Sequence, residues 1–298
     1  MFRWRAFTAG TGLALTYFAG FTSVFFSLSL WLQLGLGRTA LAAGLTILPF
    51  AVGDLVGSSF SNVAARRLGP AVLQVGTAMA AVGFGGTLAT IHLDGPAVPG
   101  VLLLPSLAFA GIGTGLTIAP NTNIVLARVP VRSAGAAGGM LSTAQRVGTA
   151  IGIAVVGVLL FGSLATGAPA AAASTVPALR RDLVATGMPA ADLNRAVRHF
   201  TVCFDRRVSS ADPSAPPPGC AGAGTGAGRD PAVSVAYAHA ARTALADDFT
   251  SAMQVSMAFN LAAVVLAFLL VPFFPRSPAV PAGRAVISDD EAVDQLPG

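Results

Sequence analysis

Lysine is absent from this 298-residue chain, and charge of either sign is scarce, with 10% of residues Asp, Glu or Arg. An average soluble domain carries about a quarter charged residues, so composition argues against a water-soluble globule. Cysteine is limited to two residues, and no zinc-ligand spacing, His-Glu-x-x-His helix, P-loop or nucleophile elbow occurs. A membrane hydrolase or an ATP-driven pump therefore has no visible chemistry, the chain does not read as an enzyme, and no cofactor or metal is called for. All 18 cations are Arg; they give a net charge of +5 and a pI near 10.5. They are spread over helix ends and a loop rather than gathered on one face, which excludes a phosphate-gripping surface and with it nucleic acid.

What is abundant is apolar surface: 54% of the residues are hydrophobic and mean hydropathy is +0.71. The runs 6–37, 68–91, 95–127 and 249–275 hold no charged side chain. Each exceeds the roughly 18 residues at which a membrane-spanning helix becomes the default reading. Six spans follow, at 7–32, 41–63, 71–91, 98–119, 138–164 and 253–274. The first is far longer than the roughly 7–15-residue apolar core of a signal peptide, so it reads as retained. The expected division is a block of five spans at 1–164, a loop at 165–250, the sixth span within 251–275 and a disordered tail at 276–298.

Six crossings return both ends of the chain to one side of the membrane. Arg3, Arg5, Arg66, Arg67, Arg128, Arg132, Arg276 and Arg284 fall on that side, and Arg38 alone lies in a short loop on the other. The positive-inside rule then puts both termini in the cytoplasm of a cell whose surface membrane the chain spans. Loop 165–250 is extracytoplasmic on this reading. Its parts at 177–200 and 232–248 have helix-compatible spacing, whereas 209–229 is a Pro/Gly/Ser-rich linker. Cys203 and Cys220 sit in this loop, where an oxidising compartment favours a disulfide over two free thiols.

The helix entries Arg38-Thr39-Ala40-Leu41-Ala42-Ala43-Gly44 and Arg132-Ser133-Ala134-Gly135-Ala136-Ala137-Gly138 match in register. One enters the membrane from outside and the other from inside, as two inverted three-helix repeats require.

Asp54 and Arg146 are the two ionisable residues well inside these spans. A charge at mid-bilayer costs at least about 2.5–3.5 kcal/mol, so such groups face a bundle interior or a wet cavity. At helical spacing from Asp54 stand Ala51, Gly57, Ser58, Ser61 and Asn62, and from Arg146 stand Gly139, Ser142, Thr143, Thr149 and Ala150. Both charges are therefore expected to face inward. Asp54 reads as a carboxylate that exchanges a proton or recognises a cation, the alternative being a structural hydrogen-bond partner. Arg146 reads as its electrostatic counterpart or as a side chain snorkelling to headgroups.

Tyr17, Gln33, Asn121, Asn123 and Gln145 are candidate lining of an apolar cavity, near a helix that also carries Phe18, Phe21, Phe25 and Phe26. Gly53/Gly57, Gly111/Gly115 and Gly148/Gly152 have the small-xxx-small spacing of closely packed membrane helices. In a chain with 34 glycines that spacing alone does not discriminate.

The segments FRWRAFTAG, SLWLQLGLGRTALAAGLTILPFAVG, RRLGP, GIGTGLTIAPNTN and SAGAAGGMLSTAQRVGTAIGIAVVGVLLF together resemble one family. It is the fourteen-helix drug/proton antiporter branch of the major facilitator superfamily, and the match is to its carboxy-terminal six-helix half. The resemblance covers nearly all of 2–164 and, more loosely, the last span. It implies an all-α integral membrane protein, a six-helix bundle equal to half a major facilitator fold, and proton-coupled efflux of amphipathic compounds by alternating access. The chain departs from the family in the loop after the second helix, Asn62-Val63-Ala64-Ala65-Arg66-Arg67-Leu68-Gly69-Pro70, which lacks the acid of the Gly-x-x-x-Asp-Arg-x-Gly-Arg pattern. The implied partners are lipid, protons, a small amphipathic substrate and a second six-helix bundle, from another copy, another chain or a longer polypeptide. The alternative is a non-transporting fragment or accessory subunit of a full-length carrier.

Overall fold

The computed structural model describes residues 5–126, 129–210, 219–220 and 231–273. Arg3, Arg128, Arg276, Arg284, most of the 209–229 linker and the 276–298 tail lie outside the described residues. Within them the fold is all-α, and six helices are long and apolar enough to cross a membrane. These are α1 (Arg5–Leu30), α2 (Ala40–Leu68), α3 (Ala71–Asp94), α4 (Gly100–Leu126), α5 (Val131–Ala185) and α7 (Pro231–Leu270); α6 (Ala190–Val208) is the seventh and more polar helix.

Local chemistry sets the helix ends. Thr39 caps α2 by accepting the Ala42 amide at 3.2 Å, and Arg66 and Arg67 in its last turn complement the helix dipole. Gly69 and Gly95 close α2 and α3 with φ of 57°, a left-handed turn that side chains resist. A π-type turn, Trp31–Gly35, follows α1 directly and buries Trp31 and Leu32.

In the bundle α4 lies between α2 and α3, and α1 contacts both α5 and α7; α3 packs on α7 and α1 on α4. Exchanging α1 with α4, α2 with α5 and α3 with α7 turns the α2–α4 contact into α5–α1 and the α3–α4 contact into α7–α1. Two inverted three-helix units produce that pattern. The seams are glycine-built in both halves. Gly53 and Gly57 rest on the backbone of Ala108 and Ile112, Gly111 and Gly115 on the backbone of Phe50 and of Asp54 and Ser58, and Gly148 and Gly152 on Leu15 and Ala19. A methyl group at any of these six positions would overlap a facing backbone atom, so glycine permits the approach.

Two differences from the sequence reading concern the loop. Helix α5 does not end near residue 164 but continues through Pro169 and Pro177 to Ala185, 55 residues in all, and α7 runs 40 residues without a break. At 1.5 Å per residue these are about 80 Å and 60 Å, against a hydrocarbon core of about 30 Å. The excess length of both is held by a second core: Ala168, Ala172, Leu179 and Leu183 of α5 against Ala236, Ala240 and Ala244 of α7, with Phe200 and Phe204 of α6. The Tyr237 hydroxyl donates to the Ala196 carbonyl at 2.9 Å. Burial of this alanine stripe explains why the helices run on. Helix α6 starts only after the Gly187 turn and Pro189, so the helix-compatible stretch 177–200 is divided between α5 and α6. Cys203 and Cys220 are joined by a disulfide.

Glycine packing makes a stability prediction. Gly57→Ala and Gly152→Ala should each destabilise the protein in detergent by about 1–3 kcal/mol through overpacking. Gly139→Ala and Gly162→Ala, which meet nothing within 4 Å, should leave the unfolding midpoint unchanged or slightly higher. Thermal unfolding followed by circular dichroism separates the two pairs.

Candidate transport face

Helix α1 places Tyr17, Phe18, Phe21 and Phe25 at three- and four-residue spacing, hence on one side. Tyr17 and Phe21 stack with centroids 5.8 Å apart, and Phe18 and Phe25 meet Phe21 edge-on at 5.4 and 5.6 Å. Phe50 of α2 extends the ladder, 6.0 Å from Phe21 and 4.8 Å from Phe25, and Phe84 of α3 lies 6.2 Å beyond. Three helices thus share one aromatic band. Phe50 and Phe84 are buried, whereas Phe18, Phe21 and Phe25 are half-buried and present ring surface at its edge.

The polar groups of this face sit on the glycine seams. Tyr17 is fully buried, with its hydroxyl 2.8 Å from Thr114 Oγ1. Thr114 already donates to the Ala110 carbonyl at 2.9 Å, so the phenol is the donor. Asp54 is half-buried on α2, one turn past Phe50, its own backbone clasped by Gly111 and Gly115. On the symmetry-related seam, Thr22 and Thr149 hydroxyls lie 3.3 Å apart.

The remaining expected residues are distributed elsewhere. Asn121 is buried at the other end of α4, its amide donating to the Gly10 carbonyl at 3.3 Å while its oxygen has no partner. Gln33 donates to Ser29 Oγ at 2.7 Å in the π-type turn. Gln145 is half-buried and Asn123 exposed.

Arg146 requires a correction. It is exposed rather than turned into the bundle, and it forms no ion pair with Asp54. The buried stripe of α5 is Leu141, Gly148, Gly152, Val156 and Leu160. Steps of 100° per residue put Arg146 nearly opposite Gly148. The small and polar neighbours Ser142, Thr143 and Ala150 are exposed with it, so polarity of a helix side does not identify the packed side here.

Sequence reasoning also misses three groups. Ser23 donates to Asn260 Oδ1 at 2.6 Å, a fully buried link between α1 and α7. Thr114 is a single hydroxyl on an apolar helix, without a periodic signal. Asp248 ends the helix-compatible stretch 232–248 of the expected loop, but it is a buried part of α7, continuous with the last span.

No family model matches the chain. It is 31% identical over 279 residues to a protein described as a probable actinorhodin transporter from Streptomyces coelicolor, a match covering 93% of this chain and 48% of that protein. It is 36% identical over 155 residues to the puromycin resistance protein pur8 of Streptomyces alboniger, covering 51% and 29%. It is 30% identical over 160 residues to the multidrug efflux pump LfrA of Mycolicibacterium smegmatis, covering 53% and 31%. The chain thus spans about half the length of the first of these curated relatives and less of the others. It is a multi-pass membrane protein homologous to drug-efflux transporters, in keeping with the resemblance to major facilitator exporters.

Removing the phenol hydroxyl should be separable from removing the ring. Tyr17→Phe is expected to cost about 0.5–1.5 kcal/mol, the worth of one hydrogen bond. Tyr17→Ala should cost about 3–5 kcal/mol through the cavity it leaves in the band. Thermal unfolding of both variants in the same detergent checks the ratio.

Proposed function

We propose that this chain, a homologue of antibiotic and drug exporters, supplies one six-helix bundle of a proton-coupled efflux transporter that works by alternating access on amphipathic organic compounds. The observation that carries the reading is Asp54. It is an acid half-buried on an apolar helix, held at a glycine seam one turn past Phe50 of the aromatic band. Ring faces offer dispersion and cation–π contact to flat, lipophilic cations. A carboxyl next to them can hold either such a cation or a proton, and competition between the two is the elementary requirement of an antiporter.

A single bundle has no opposing body to rock against, so transport needs a second one. Exposed Leu41, Leu45, Leu48, Val52 and Leu55 on α2, with Val147, Ile151 and Val158 on α5, offer apolar surface to lipid or to that second bundle. Arg146 is also exposed on α5, where a partner bundle or headgroups would supply its counter-charge. Both termini are assigned to the cytoplasm and the α5–α6–α7 projection to the outside. That orientation also leaves the Cys203–Cys220 disulfide in an oxidising compartment.

The test is transport after reconstitution. Chain cross-linked and purified from its native membranes should come with a second bundle. In liposomes bearing a pH gradient it should move a lipophilic cationic dye in exchange for protons. Asp54→Asn should lower that exchange on the order of 100-fold; undiminished exchange removes Asp54 from the mechanism. A chain that is monomeric in the membrane and inert in liposomes favours instead an accessory subunit.

A further inference from the structure

Asp248 is buried to 2% exposure, and neither carboxyl oxygen has a hydrogen-bond partner. It lies in α7 where the membrane bundle gives way to the projecting helices, just before Phe249, Ala252 and Met253 of the main core. On one side α5 offers Gly167 in place of a side chain: a Cβ there would stand 2.5 Å from Asp248 Oδ1. Gly167 and Asp248 also line a cavity of ≈ 410 Å³, together with Ser174, Asp247, Ser251 and Gln254.

Charged groups face this end from several elements. Asp247 accepts from Ser174 Oγ at 3.4 Å. His92 Nδ1 of α3 lies 3.4 Å from Gln254 Oε1, and Asp94 ends the same helix. Arg38 is tied to the Val98 carbonyl at 2.7 Å. None of them forms an ion pair or hydrogen bond with Asp248. Thr250, two residues on, is also taken, since it accepts the Trp31 indole N–H at 3.0 Å and donates to the Ala246 carbonyl at 2.7 Å.

An ionised carboxylate buried with no protein donor or cation against it costs several kcal/mol. A neutral acid in the same notch needs far less. We propose that Asp248 is a proton-binding site at this end of the bundle: it holds its proton as the neutral acid while α5 and α7 are closed over Gly167, and exchanges it with water through the adjoining cavity. In the exchange the O–H bond breaks, the electron pair stays on the carboxylate, and the proton passes to cavity water and on to bulk. The site is separate from the aromatic band and does not rest on Asp54 or on the export reading.

Infrared spectroscopy of the full chain in membranes tests it without any transport assay. At neutral pH, the wild-type minus Asp248→Asn difference should contain the carbonyl stretch of a protonated carboxylic acid that shifts on transfer to D2O. Asp248→Glu should retain that band at a displaced frequency, which covers the case in which the Asn variant does not fold. Asp54→Asn should leave the Asp248 band in place, so the result stands whether or not Asp54 couples transport. A difference containing carboxylate bands alone, with no acid carbonyl lost, overturns the proposal.

Discussion

Helices already surrounded by hydrocarbon gain little by hiding apolar side chains from one another, so their association depends on how closely backbones can approach. Everything else in this molecule depends on that constraint. The α2–α4 and α1–α5 seams meet it with glycine at the points of closest contact. Those seams fix the height and rotation of every group on the inner face. Asp54 owes its position to Gly111 and Gly115 on either side of it, and Tyr17 reaches Thr114 because α4 is drawn in alongside α1. Repetition of the seam in the second half, with the roles of first and second repeat exchanged, gives the bundle its internal symmetry.

That symmetry is not carried into the chemistry. Where α2 has Asp54 on its seam, α5 has Thr149, bonded to Thr22. At this matched position one seam thus carries an acid and the other a hydroxyl. A duplicated scaffold with unlike side chains gives two non-equivalent walls, which suits a passage whose two ends must differ. The same economy holds for buried polar groups elsewhere. Ser23 donates to the Asn260 side-chain oxygen across α1 and α7, and Tyr237 reaches a backbone carbonyl in the projection.

The architecture was largely legible because a bilayer makes hydropathy decisive: each charge-free run became a helix long enough to span. Asp54 was legible for a related reason, since an acid among apolar residues stands out in any window. Its setting was not, because Phe50 and Phe84 come from two other helices and no local period announces their meeting with Phe21. Arg146 shows the limit of helical-wheel arguments in membranes. Lipid and protein interior are both apolar, so small and polar residues need not mark the packed side; on α5 the marks were Gly148 and Gly152, one motif among 34 glycines. Asp248 was hidden by the surrounding residues. Acids and arginines nearby make 232–248 read as a surface helix of an outer loop, whereas the alanines at every fourth position from Ala236 to Ala244 bind it into the long buried helix α7.

The continuity of α5 has a mechanical consequence. A rod about 80 Å long with roughly 50 Å standing clear of a 30 Å hydrocarbon layer acts as a pointer. A rotation of about 10° within the lipid sweeps its far end sideways by about 8–9 Å on that length. Because α6 and the projecting turns of α7 are fastened to the same rod, the whole projecting cap swings as one body. Inclination of the inner helices is thereby transcribed into a displacement large enough for distance labels placed on the cap to read.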